Sequence, residues 1–92
     1  MYDRVLDTDW HAEIAFDEDD THTHATLCLR LDDGQTMTTR GDAYRHPRDT
    51  GQRRVGEEIA AARALIAVGT ALLQTASAQI EQRTHQPVQL YR

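Results

Sequence analysis

The sequence predicts an α+β fold in which a three-stranded antiparallel sheet, in the order 1-2-3, is covered on one face by one long C-terminal helix. Two observations support this prediction. Apolar residues alternate with polar ones through the first half of the chain, which is typical of half-buried strands. The second half is rich in alanine and repeats its apolar residues with a helical period. A chain of 92 residues is expected to form one domain.

The predicted organisation follows these patterns from end to end. Residues 1–9 form an acidic arm, 10–46 the three-stranded sheet, 47–54 an arginine-rich loop, 55–84 the helix and 85–92 a tail. The first two strands are indicated by two alternating sets, in which the inward residues are Trp10, Ala12, Ile14 and Phe16, then Ala25, Leu27, Leu29 and Leu31.

The pair Asp33-Gly34 predicts a hairpin between the second and third strands. A two-residue turn there would place Leu31 opposite Thr36 and so pair an apolar face with a polar one. We therefore expect a three-residue loop or a bulge, which brings Met37, Thr39, Gly41 and Ala43 beside the leucines.

The helix is longer than the sheet that it has to cover. About 28 helical residues span roughly 42 Å, whereas strands of eight residues span roughly 27 Å. Part of the apolar helix surface is then left without an intrachain partner, which favours a homodimer over a bent or frayed helix. The residues expected in the core or at the dimer contact are Trp10, Ile59, Ile66, Gly69, Leu73 and Ile80.

Composition limits the classes of function. The formal net charge of −5 argues against indiscriminate binding of nucleic acid. A single cysteine, Cys28, excludes an internal disulfide and suits a cytoplasmic protein. No uninterrupted run of 18 apolar residues is present, so no membrane span is expected.

The arginine-rich loop is the leading candidate for a binding site. Its arginines precede the N-terminus of the helix, where backbone amides favour anions, and they are the expected RNA- or anion-binding residues Arg45, Arg48, Arg53 and Arg54. The alternative is a solvated loop whose arginines pair with nearby acids. The second interpretation is favoured, because Glu57 and Glu58 at the helix start repel phosphate.

Two further candidates are weaker. His22 and His24 lie two residues apart beside Asp19 and Asp20, which is a pattern that could hold a divalent metal. No third ligand has a fixed spacing, however, so the pattern favours a polar strand entrance, and neither a metal nor a cofactor is predicted. No P-loop, dinucleotide fingerprint or partnered nucleophile is present, so the chain is expected not to be an enzyme, and no small-molecule substrate is identified.

Several motifs together resemble a family of small, uncharacterised actinobacterial proteins, some of which belong to stress and dormancy responses. The matching blocks are G-x-A-x-x-x-P from Gly41 to Pro47, V-G-x-E-x-A-x-A-R-A-L from Val55 to Leu65, and I-E-x-x-T-H-x-P from Ile80 to Pro87. The resemblance implies a fold like that of double-stranded-RNA-binding domains and ribosome hibernation factors, and it implies dimers.

These observations lead to two functional hypotheses. The first is a non-enzymatic stress- or dormancy-associated binding protein whose candidate partner is the ribosome or RNA. The alternative is a homodimeric protein-interaction or structural module without a role in nucleic-acid binding.

Overall fold

A computed structural model describes residues 7–44 and 53–90 of the chain. It contains strands β1 (His11–Glu18), β2 (His22–Arg30) and β3 (Thr36–Tyr44), followed by helix α1 (Arg53–Thr84). The strands form one antiparallel sheet in the order β1-β2-β3. The predicted fold class is therefore confirmed, and α1 begins two residues before the predicted start at residue 55.

The hairpin between β2 and β3 has the expected three-residue loop, Asp32 to Gly34. The amide of Leu31 donates to the carbonyl of Gln35 at 2.8 Å and closes the loop. Gly34 has a φ of +91°, a left-handed conformation that glycine adopts without a steric penalty. The loop pairs Leu29 with Met37, so both apolar sets lie on one face of the sheet.

Helix α1 packs on that apolar face, mainly against β2 and β3. Its buried residues nearest the sheet are Ala60, Ala64 and Val68, which recur every four positions. They form the core with the residues of β2 and β3 that share the same face: Ala25, Leu27, Leu29 and Ala43. Small side chains on the helix let its backbone approach the sheet closely.

Gly41 is the point of closest approach between β3 and α1. A methyl group added to Gly41 would lie 2.5 Å from the amide nitrogen of Ala64 and would also collide with the carbonyl oxygen of Ala60. The Thr39 hydroxyl donates to the carbonyl of Ala64 at 2.8 Å across the same contact. A hydrogen bond and an absent side chain therefore set the distance between the helix and the sheet.

The helix outruns the sheet, as its length predicts. Its 32 residues span about 48 Å, whereas the nine residues of β2 or β3 span about 30 Å. The chain reverses after the helix at His85, which has a φ of +58°. The amide of Val88 then donates to the carboxylate of Glu81 at 2.9 Å, so the tail folds back beside the last turns of the helix.

Candidate functional site

The surface of α1 opposite the sheet carries a continuous row of apolar and small residues, which we call the outer helix face. The row repeats with alternating steps of four and three residues along the helix and consists of Val55, Ile59, Ala62, Ile66, Gly69, Leu73, Ala76 and Ile80. Ile66 is two residues from both Ala64 and Val68, and so lies roughly 160° around the helix from each of them. The row therefore points away from the core.

The large members of the outer helix face are exposed. Their exposed fractions are 51% for Val55, 41% for Ile59, 68% for Ile66, 39% for Leu73 and 38% for Ile80. A methyl group added to Gly69 would meet nothing within 4 Å. Contiguous exposed apolar surface is a common feature of interaction surfaces, so the outer helix face is a candidate for one.

The helix residues expected in the core or at a dimer contact do not belong to the buried cluster of the single chain. A helix with two apolar faces has to place one of them on the sheet, and the face with smaller side chains fits the close approach at Gly41. The core contact is therefore made by Ala60, Ala64 and Val68. The expected dimer contact at the outer helix face stays a prediction.

Trp10 also lies outside the core. It is 49% exposed and precedes β1, and its indole nitrogen donates to Asp32 in the β2–β3 loop at 3.3 Å. Because α1 packs on β2 and β3, the inward face of β1 is incompletely covered, and Phe16 is 40% exposed.

The candidate anion site is only partly within the described residues. Arg45 and Arg48 lie outside them. Arg53 is 3.6 Å from the carboxylate of Glu18, and Arg54 is 3.5 Å from that of Glu58 one helical turn later. Both guanidinium groups thus have acidic neighbours, which lowers the positive potential available to a phosphate.

A pair of carboxyl groups lies close to this helix start. A hydrogen bond with Glu18, together with partial desolvation and the charge of Glu18, raises the pKa of Glu57. The same hydrogen bond, aided by Arg53, lowers the pKa of Glu18 although desolvation opposes it. The folded protein consequently holds a proton on Glu57 at a pH where the unfolded chain has lost it. Stability from this group is present below that range and decreases as the pH rises through the folded pKa.

The face of the sheet that points away from α1, here called the open sheet face, brings together His22, His24 and Asp42. His22 and His24 are alternate residues of β2, and Asp42 is directly opposite His24 on β3. Asp42 Oδ1 is 3.3 Å from His22 Nε2 and 2.5 Å from His24 Nδ1. One ligand-type atom from each residue lies within 4.8 Å of the other two.

The neighbours of this cluster hold it in place. The His22 ring stacks on Tyr44 with 4.1 Å between centroids, and the Arg63 guanidinium donates to the Asp42 carbonyl at 2.6 Å. Desolvation raises the pKa of Asp42, but hydrogen bonds with His24 and His22 and their charge outweigh it, so the net pKa is lowered.

Sequence reasoning found the two histidines but missed Asp42. It grouped them instead with Asp19, which accepts a hydrogen bond from the Thr21 amide at 2.9 Å within the β1–β2 turn. That hydrogen bond is the main reason why the pKa of Asp19 is lowered. The strand register was the signal that could have identified Asp42, because the three-residue hairpin loop places residue 42 opposite residue 24.

These features define a small α+β protein in which the described residues form one sheet and one long helix with an uncovered apolar face. The chain belongs to the Rv2632c-like family, whose model it matches over residues 8–89. The uncharacterized protein Mb1767 of Mycobacterium bovis is 34% identical over 81 residues, which cover 88% of this chain and 85% of that protein. The uncharacterized protein MT1780 of Mycobacterium tuberculosis matches to the same extent.

A solved structure shares the fold. The crystal structure of Rv2632c superposes with a TM-score of 0.81 at 30% identity, covering 92% of this chain and 100% of that one. The expected membership of an uncharacterised actinobacterial family is thereby confirmed.

Proposed function

We propose that this protein is a non-enzymatic interaction module that forms a homodimer through the outer helix face. The observation that carries the proposal is the exposed row of Ile59, Ile66, Leu73 and Ile80 at intervals of seven residues. A seven-residue apolar repeat is the pattern by which one helix packs along another. The occupant of the face is a second copy of this chain.

The self-complementarity of the row supports a second copy as the occupant. Two copies of α1 can be placed antiparallel, related by a two-fold axis that passes between Ala67 and Val68. Three large residues of each copy then lie opposite small residues of the other copy, and the large residues at the two ends lie opposite each other. The resulting pairs are Ile66 with Gly69, Ala62 with Leu73, Ile59 with Ala76 and Val55 with Ile80. A two-fold dimer uses the same surface on both subunits, which this pattern satisfies.

The length of the contact is sufficient for a stable helix pair. Val55 to Ile80 spans about 38 Å of helix, and residues 64–80 contain no charged side chain. Glycine and alanine between the large residues allow the two backbones to approach closely. Charged side chains lie at both ends of the row, with Glu58 near its start and Glu81 directly after Ile80.

Sedimentation equilibrium of wild type and Ile66→Asp tests the proposal. The wild type is expected to dimerise, and Ile66→Asp to be monomeric with an unchanged circular dichroism spectrum, because Ile66 is exposed in the single chain. Gln74→Asp is the matched control, since it adds the same charge to an exposed helix position off the face. A wild type that stays monomeric up to its solubility limit, or an Ile66→Asp dimer, would contradict the proposal.

The orientation can be tested separately. In the Cys28→Ser background, Glu58→Cys provides one cysteine per chain for a spin label. In the antiparallel pair the two spin labels lie about 28 Å apart along the helix axis, whereas a parallel pair in register brings them together. Pulsed electron-spin measurements distinguish the two arrangements. Rapid disulfide formation between the two chains at position 58 would refute the antiparallel pairing.

A lipid bilayer is the rival occupant of the same face. By length and composition alone, α1 is apolar enough to cross a membrane, a property that the core helix of a soluble protein can share. Vesicle flotation decides between the two occupants. Monomeric wild type that floats with neutral vesicles would replace the dimer proposal by a membrane-binding one.

The hypothesis of ribosome or RNA association in stress or dormancy, with a fold like double-stranded-RNA-binding domains, stays a prediction. The acidic partners of Arg53 and Arg54 weigh against it. Co-sedimentation with ribosomes, compared between wild type and a variant with Arg48, Arg53 and Arg54 changed to glutamate, tests it. Association that disappears in this variant while the dimer persists would support ribosome binding through these arginines, and wild type that does not co-sediment would exclude it.

A further inference from the structure

We propose that His22, His24 and Asp42 form a binding site for a divalent transition-metal ion, of which Zn²⁺ is the best-fitting example. Two imidazoles and one carboxylate are ligands that Zn²⁺ accepts in tetrahedral sites, with bonds of about 2.0–2.1 Å. The remaining position faces solvent and is taken by water. The site lies on the open sheet face, and it is independent of the proposed dimer.

The backbone arranges these three ligands before any ion is bound. His22 and His24 project from the same face of β2 because they are two residues apart in a strand. Asp42 is brought beside them by the β2–β3 register. All three belong to two hydrogen-bonded neighbouring strands, so the loss of conformational freedom on binding an ion is small.

The distances suit a shared ion after one small rearrangement. Ligand atoms of a tetrahedral zinc site are about 3.3 Å apart, which is the observed separation of His22 Nε2 and Asp42 Oδ1, 3.3 Å. His24 Nδ1 is closer, at 2.5 Å, because it shares a hydrogen bond with Asp42. Rotation of the Asp42 side chain, which is 42% exposed, replaces this hydrogen bond by two bonds to the ion.

The surroundings support a cation at this position. Tyr44 stacks on His22 and restrains its ring, and Arg63 holds the Asp42 backbone through the carbonyl. Asp17 is opposite His24 on the other neighbouring strand and adds negative charge on the same face. Restraint of the ligands by neighbouring groups is a general property of metal sites.

Isothermal titration of the untagged chain with Zn²⁺ tests the site. Wild type is expected to bind one ion per chain, and His22→Ala, His24→Ala and Asp42→Asn are each expected to weaken the affinity at least tenfold. His11→Ala is the matched control, since His11 lies on the same face about 20 Å along the sheet from Asp17 and opposite Arg30. Ile66→Asp should bind normally, which separates this site from the dimer.

A second measurement identifies the ligand atoms. Long-range ¹H–¹⁵N spectra should show Zn²⁺-dependent shifts of His22 Nε2 and His24 Nδ1. Thermal melts without metal establish that each variant is folded. The proposal is overturned if wild type shows no saturable binding, if Asp42→Asn and His24→Ala bind as wild type does, or if the shifts occur at His11 or His85 instead.

Discussion

Replacement of Gly41 by alanine tests the close packing between α1 and β3. The added methyl group would lie 2.5 Å from the Ala64 amide nitrogen and 3.0 Å from Arg63 Cβ. Ordinary contacts at these positions begin at 3.4 Å. Because the colliding atoms include the helix backbone, rotation of a side chain cannot relieve the overlap. The helix has to move away from the sheet by about 1 Å, which forfeits a quarter to a half of the attraction between the atoms it separates.

The expected loss in the free energy of unfolding is about 3 kcal/mol, at the upper end of the usual cost of overpacking. For a domain of this size, that loss lowers the melting temperature by roughly 12–24 °C. At an unconstrained strand position, replacing glycine by alanine stabilises a protein by about 0.5–1 kcal/mol. The destabilisation predicted for Gly41→Ala therefore has the opposite sign to the change expected from backbone entropy alone.

Urea unfolding followed by circular dichroism, at one fixed protein concentration, measures this effect. Gly34→Ala is the control, since its methyl group would meet nothing within 4 Å but its φ is +91°. It should lose only about 1 kcal/mol through backbone strain. If Gly41→Ala lies within about 0.5 kcal/mol of wild type, or is more stable, the inferred contact is refuted.

Three further predictions follow from single positions. Glu57→Gln removes the carboxylate that faces Glu18, so the variant should melt at a higher temperature than wild type at neutral pH. The difference should shrink in acid, where Glu57 of the wild type is protonated. Equal melting temperatures of the two proteins across the pH range would contradict the raised pKa of Glu57. Ser77 is 2% exposed, and its hydroxyl has no hydrogen-bond partner among the described residues. Ser77→Ala should therefore gain about 1 kcal/mol in chemical unfolding, whereas a loss would show that the hydroxyl is satisfied. His85→Gly should gain up to about 1 kcal/mol by relieving its positive φ, and a destabilised variant would point to a contact made by the imidazole.

Sequence patterns were sufficient for the fold because they report local geometry. Alternation in β2 and β3, together with the Asp33-Gly34 turn, determined strand direction, register and the inward face. The length of the alanine-rich segment determined that one helix would outrun the sheet. These features depend on residues close together in the chain, where backbone period and turn chemistry decide the structure.

The two candidate surfaces were harder to predict. Helix α1 has two apolar faces, and periodicity alone left open whether the one with larger residues packs on the sheet or on a second chain. The histidine pair had no third ligand at a recognisable spacing, since Asp42 is 18 positions after His24. The choice of helix face depends on contacts between distant segments, which local patterns do not encode. Asp42 is found only when the hairpin register is followed from the turn to the far end of the two strands, where residues 24 and 42 are opposite each other.

The sequence by itself determined an α+β fold with a 1-2-3 sheet and one overlong helix, and it limited the hairpin to a three-residue loop or a bulge. Only the tertiary structure decided which face of that helix is covered. The physical reason is steric: Gly41 allows the backbone of Ala60 and Ala64 to pack against β3, and the larger residues Ile59 and Ile66 remain outside. The cluster of His22, His24 and Asp42 has a different origin, because the pairing of β2 with β3 places Asp42 opposite His24 on the other face of the sheet.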